Sequence, residues 1–171
     1  RRCMLLQSRQ KTRLTSSIRA AATELSQVPA PSSYAAFLTH DWGIDELGRK
    51  NHDRVCRVND MLKEAGFKTW FDEERMRGDI DQQMAEGIDA STILVVFVTH
   101  RYLQQVAGQG DRGADDNCKF EFDYALQRKG VNFMIPVVME PRCLNTSTWK
   151  GKVGGKLGNK LSINLTSDAD D

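Results

Sequence analysis

Glu121 is the carboxylate whose neighbours set it apart. If residues 118–127 are helical, Cys118, Phe122 and Ala125 lie at i−3, i+1 and i+4 from it, so its side chain is aimed near the apolar side. Desolvation there would raise its pKa, and the helix N-terminus behind Asp116 and Asn117 would lower it. Two glycine-rich stretches promise chemistry that their setting does not support. Gly108-Gln109-Gly110-Asp111-Arg112-Gly113 spells GxGxxG, but a dinucleotide turn must leave a strand and open a helix. This one follows a helical stretch and leads into acidic residues, so it reads as a flexible loop. Gly151–Gly158 holds lysines without the GxxxxGK[ST] order, which excludes a Walker-type phosphate loop. Cys3, Cys56, Cys118 and Cys143 are far apart and form no CxxC pair or Cys/His cluster of zinc spacing, so no metal is expected.

The elements that must position such residues follow from hydrophobic periodicity. Tyr34–Thr39, Phe67–Phe71, Ile93–Val98, Phe133–Val138 and Leu161–Leu165 read as strands. The continuous apolar run Ile93–Val98 suits a strand buried on both faces of a parallel sheet. Val55, Val58, Leu62 and Ala65 mark one face of a helix that stops at Gly66, and Ile80, Met84 and Ile88 mark a second. His100–Val106 reads as a helical turn and Cys118–Gln127 as a helix. Strand–helix alternation at this spacing requires right-handed crossovers, which predicts an α/β fold with a five-stranded parallel sheet flanked by helices, flavodoxin-like in outline. Ligands in such sheets sit at the carboxyl ends of the strands. Those ends are His40-Asp41-Trp42, Asp72 to Asp79, Thr99-His100 and Met139-Glu140-Pro141.

Composition narrows the function classes. The 171 residues carry 24 Lys+Arg against 23 Asp+Glu, a formal net charge of +1, so no nucleic-acid partner is indicated. No apolar run is long enough for a transmembrane helix. Four widely spaced cysteines do not form a disulfide scaffold, which points to a reducing, cytoplasmic setting. Residues 1–33 hold six Lys or Arg and only Glu24 as an acid. This basic segment, with helical spacing of Leu14, Ile18, Ala21, Ala22 and Leu25, ends in the linker Val28-Pro29-Ala30-Pro31-Ser32-Ser33. It reads as a connector packed little against the main domain, 34–166, with 167–171 as an acidic tail. A chain opening on Arg1-Arg2 is expected to be part of a longer protein.

A receiver domain shares this outline but needs an aspartate ending the third strand and a Lys-Pro after the fifth. Here that strand ends Val98-Thr99-His100, and Ile135-Pro136 has no lysine before it. Five boxes stand in order instead. Ala35-Ala36-Phe37-Leu38-Thr39-His40-Asp41 opens the set. Trp70-Phe71-Asp72-Glu73-Glu74-Arg75-Met76-Arg77-Gly78-Asp79-Ile80 resembles FxDxxxLxxGxxI, with Met76 where Leu is usual. Ile88–Thr99, the CxxE of Cys118-Lys119-Phe120-Glu121 and the segment Ile135-Pro136-Val137-Val138 complete it. In this order the boxes resemble those of the Toll/interleukin-1 receptor (TIR) domain family.

The resemblance carries two functional expectations. Enzymatic members cleave NAD+, as substrate and without a further cofactor, to nicotinamide and ADP-ribose or a cyclised form. Their essential glutamate matches Glu121, and their substrate-binding positions point to His40, Asp41, Trp42, Arg77, Gly78 and Thr99. Trp42 has the shape to stack on a flat ring, and Arg77 the charge to face pyrophosphate. Other members are non-catalytic scaffolds that signal by TIR–TIR association. The loop with Glu73, Glu74, Arg75, Arg77 and Asp79 carries both signs of charge, suiting a self-complementary contact in a homo-oligomer. The two expectations overlap, because family enzymes generally work as assemblies.

Overall fold

The computed structural model describes residues 12–20, 33–71 and 79–167. Residues 12–20 form helix α1. Then follow β1 (Tyr34–Thr39), α2 (Asn51–Glu64), β2 (Thr69–Trp70), α3 (Ile80–Asp89), β3 (Ser91–Val98) and α4 (His100–Val106). The order ends with α5 (Asn117–Arg128), β4 (Met134–Val138), α6 (Gly151–Leu157) and β5 (Ile163–Asn164). The five strands are all parallel, in the spatial order β2-β1-β3-β4-β5, which is the doubly wound, flavodoxin-like arrangement.

The period-2 alternation of β3 builds both halves of the core. Ile93, Val95 and Phe97 face one layer with Val55, Leu62 and Phe71, while Leu94, Val96 and Val98 face the other with Met84, Tyr102 and Phe122. Both faces are covered, which is why the strand is apolar throughout. Helix α2 stops where its glycine requires. Gly66 adopts φ 87°, its N–H donates to the Lys63 carbonyl at 2.9 Å, and Phe67 N–H reaches the Leu62 carbonyl at 3.0 Å. This pair of bonds closes a Schellman motif, and a side chain at Gly66 would strain it.

One expectation is corrected, and one helix is added to those read from the sequence. Leu14 and Ile18, one turn apart on α1, are 2% and 1% exposed and belong to the cluster of Leu38, Val55 and Phe71. Residues 12–20 therefore pack against the domain instead of standing off as a connector, because their i, i+4 apolar pair has a groove to fill. The glycine-rich stretch after Lys150 is itself a helix. Val153 and Leu157, again at i, i+4, are buried against Trp149, and that burial outweighs the glycines' poor helix propensity. The second and fifth strands are shorter than expected, at two residues each.

Among the described residues no helix is long and apolar enough to cross a membrane. Cys56, Cys118 and Cys143 are free thiols. The positions Glu73, Glu74, Arg75, Arg77 and Gly78, the linker 28–32 and residues 168–171 lie outside the described residues.

Candidate active site

The site forms where β1 and β3 end beneath α4 and α5. Strand parity decides which side chain reaches it. Thr39 lies two residues beyond Phe37 and so shares its face, toward α4 and α5, whereas Leu38 faces the α2 layer. Thr39 Oγ1 donates to Glu121 Oε2 at 2.5 Å and lies 3.1 Å from the Tyr102 hydroxyl. Threonine has one hydroxyl proton, and Glu121 takes it, so Tyr102 donates in turn to Thr39. The chain Tyr102–Thr39–Glu121 fixes one carboxylate oxygen from behind. Glu121 is 4% exposed and Tyr102 is fully buried. Burial first, and then the nearby Cys118 and Glu121, push the Tyr102 phenol well above its ordinary pKa, so it stays protonated as a donor.

Helix α5 owes its start to Asp116, whose carboxylate accepts the Cys118 N–H at 2.9 Å. That cap sets the phase of the helix and turns Cys118, Glu121, Phe122 and Ala125 inward together. Cys118 Sγ sits 3.3 Å from the His40 carbonyl and 3.4 Å from Gln105 Oε1. Burial, and then the carboxylates of Glu121, Asp116 and Asp41, drive its thiol pKa well up. A neutral thiol is neither a nucleophile nor a metal ligand, so Cys118 joins strand to helix and leaves any chemistry to its neighbour.

Glu121 borders a cavity of about 350 Å³ whose lining also includes His40, Trp42, Arg101, Arg112 and Asp116. Trp42 is 57% exposed, and its ring stacks on His52 at 3.7 Å between centroids. His52 Nδ1 lies 2.8 Å from His40 Nε2, and both imidazoles stack near Phe71. Burial and then the adjacent His52 lower the His40 pKa to about 3, partly offset by its hydrogen bond to the Leu38 carbonyl. His40 is thus a neutral packing base beneath Trp42. The loop carrying Trp42 is closed by the bridge between Ile44 and Lys50 and by the Asn51 N–H donating to the Gly43 carbonyl at 3.0 Å.

Asp41 and Thr99 sit behind the cavity and are not among its lining residues. Asp41 is 1% exposed and accepts from Asn51 Nδ2 at 3.0 and 3.1 Å, from Gly43 N–H at 2.8 Å and from the Thr99 hydroxyl. Thr99 also caps α4 by accepting the Tyr102 N–H at 3.0 Å. Asp79 caps α3 through Gln82 N–H at 3.1 Å. Glu140, at the end of β4, accepts from His100 N–H at 2.8 Å, Glu46 N–H at 3.1 Å and Arg142 at 2.8 and 3.1 Å. Its burial would raise its pKa, but the Arg142 guanidinium and the two amides hold it below the usual carboxylate range. Glu140 therefore joins three loops and is fully occupied by them.

Sequence reasoning picked out Glu121, Trp42 and His40, which the fold brings together at one cavity. It missed Thr39, Tyr102, His52, Arg101 and Arg112. The parity of β1 contained the signal for Thr39, since Phe37 is a core residue two positions earlier. Arg101 follows directly on the strand end Thr99-His100 and carried no pattern of its own.

Residues 37–171 match the family model of the TIR domain. Comparisons with curated proteins and with solved structures returned no match. The matched span takes in the described sheet from Phe37 onward and every residue around Glu121, and on that ground the chain belongs to the TIR domain family.

Proposed function

We propose that this TIR domain is an NAD+ nucleosidase, cleaving the bond between nicotinamide and ribose to give nicotinamide and ADP-ribose or its cyclised form. The observation that carries the reading is Glu121. It is a nearly buried carboxylate, held by Thr39 at 2.5 Å, on the wall of a cavity that also presents an exposed indole. The leaving group of NAD+ is already a cationic pyridinium. When the C1′–N1 bond breaks, its electron pair departs with neutral nicotinamide and leaves an oxocarbenium-like ribose. A fixed carboxylate facing that ribose stabilises the developing charge, in a partly water-excluded setting where the interaction is strongest. Water then adds at C1′ and releases a proton. Trp42 offers its face to the nicotinamide ring, and His52 and His40 hold the indole from below. Asp41 and Thr99 hold the loop and helix that frame the cavity. In this reading Arg77 and Gly78 act from the loop after β2.

Release of nicotinamide from NAD+ by the purified domain, followed by chromatography at high protein concentration, tests the reading. Wild type is expected to release it and Glu121→Gln to fail. A wild type inactive in every assembly state would leave the chain a scaffold acting by homotypic TIR–TIR association.

A further inference from the structure

Arg101 is a cation of the cavity lining that this reading has not yet used. It stands on the first turn of α4, lines the cavity, and has a side chain 46% exposed. Its stem crosses Gly43 so closely that a Cβ there would strike its Cδ and lie 2.6 Å from its Nε. Only glycine lets the guanidinium lie against the loop that carries Trp42. The two sides of the guanidinium have different partners. Nε lies 3.7 Å from Asp41 Oδ1, a buried oxygen already tied to Gly43 and Asn51. The other side, NH2, lies 3.5 Å from Asp111 Oδ2, and the Asp111 side chain is 92% exposed. The inner carboxylate is immobile in its hydrogen-bond set, while the outer one sits in a glycine-punctuated loop between Gly108 and Gly113. Both separations exceed the roughly 2.7–2.9 Å of a charge-assisted hydrogen bond, so the outer pair is loose and screened by water.

We propose that Arg101, positioned by Asp41, takes the pyrophosphate of a nucleotide substrate, and that Asp111 is a built-in competitor which the pyrophosphate displaces. A phosphate oxygen pair matches the planar fork of a guanidinium better than one distant carboxylate oxygen does. Arg112 adds a second positive charge to the lining. Asp116 and Glu121 lie together on the α5 side of the cavity and repel an anion toward Arg101. The inference rests on the nucleosidase reading for its substrate, but its ligand class, a nucleoside diphosphate, is tested by binding alone.

The experiment is calorimetric titration of the full chain with ADP and with adenosine at low salt, alongside thermal unfolding of each variant. Wild type is expected to prefer ADP by about tenfold or more, the worth of one charge-assisted contact. Arg101→Gln removes most of that preference, and Arg101→Lys keeps part of it. Asp111→Asn, at an exposed position, tightens ADP binding about two- to fivefold and leaves adenosine unaffected. A wild type without preference, or an Arg101→Gln that retains it, overturns the assignment. Should Arg101→Gln not fold, Asp111→Asn decides, and unchanged ADP affinity there counts against the proposal. NAD+ cleavage without phosphate preference sinks this inference alone. Phosphate preference without cleavage sinks the nucleosidase reading alone.

Discussion

Thr39 Oγ1 and Glu121 Oε2 are 2.5 Å apart, joining the end of β1 to the second turn of α5 across 82 positions of sequence. The bond does more than link two elements. It commits one lone pair of the carboxylate to a fixed donor and so fixes the plane of the group. A carboxylate that must face a developing cation gains from such restraint, because no reorganisation is needed as charge builds up.

The first prediction is that Glu121→Gln abolishes NAD+ cleavage while the fold survives. Glutamine is nearly isosteric, and its carbonyl oxygen can still accept from Thr39, so stability should change by no more than about 1 kcal/mol. Losing one well-placed electrostatic contact typically costs about a hundred- to thousandfold in rate. Steady-state nicotinamide release and a thermal melt measure the two effects. A variant retaining more than about a tenth of the wild-type rate would show that the charge of Glu121 is not what catalyses.

Thr39→Val tests the restraint itself. Valine keeps the shape but leaves Glu121 Oε2 and the Tyr102 hydroxyl without their shared partner in a buried setting. A stability loss of about 1–3 kcal/mol is expected from the two lost bonds. Thr39→Ser should recover most of the stability and rate. If valine and serine behave alike in denaturant titration and in turnover, the hydroxyl is not a part of the site.

How far the sequence could lead differs between elements for physical reasons. The run Ile93–Val98 and the stop at Gly66 are local signals, and both elements form where those signals lie. Glu121 was legible because its apolar neighbours on one helix already imply burial. Thr39 and Tyr102 were not, since their partnership depends on which helix covers which face of β1. Asp41 reads as a strand-end acid open to ligand, yet three donors from three different segments enclose it, and no spacing rule announces them. The helix after Lys150 escaped because its glycines masked the i, i+4 pair Val153 and Leu157.

Assembly is expected to govern activity. The mixed charges Glu73, Glu74, Arg75, Arg77 and Asp79 suit a head-to-tail or self-complementary contact between copies. Activity per molecule should then rise with protein concentration, and reversing charge at Arg75 and Arg77 should weaken both self-association and turnover. Sedimentation showing a monomer at every concentration, with constant specific activity, is the contrary result.

Glu140 gives a prediction about stability rather than catalysis. It is fully buried and accepts from Arg142 and from the amides of Glu46 and His100. Glu140→Gln removes the charge opposite Arg142 and places an amide donor among donors, so a loss of about 3 kcal/mol is expected. Denaturant unfolding at neutral pH measures it. A neutral outcome would mean that the β4 end tolerates an uncharged acceptor and that these bonds add little to stability.

The last prediction follows from His40, whose pKa falls from 6.5 to about 3 through burial and the neighbouring His52. The folded state holds the imidazole neutral, while the unfolded chain binds a proton below its ordinary value. A depressed histidine therefore contributes stability that is fully present above about pH 6.5 and is lost as pH falls toward 3. Within that window one proton bound only by the unfolded state lowers stability by about 1.4 kcal/mol per pH unit. Carboxylates protonate mostly below about pH 4.5, so the interval from pH 6.5 to 4.5 isolates the histidine, where about 2–3 kcal/mol should disappear. His40→Gln cannot take up a proton, and its unfolding free energy should be nearly flat across the same interval even if lower overall. Urea titrations of both proteins at half-unit steps of pH make the comparison. Parallel slopes for wild type and variant would mean that His40 titrates alike in the folded and unfolded chains, and that the stack beneath Trp42 does not exclude the imidazolium.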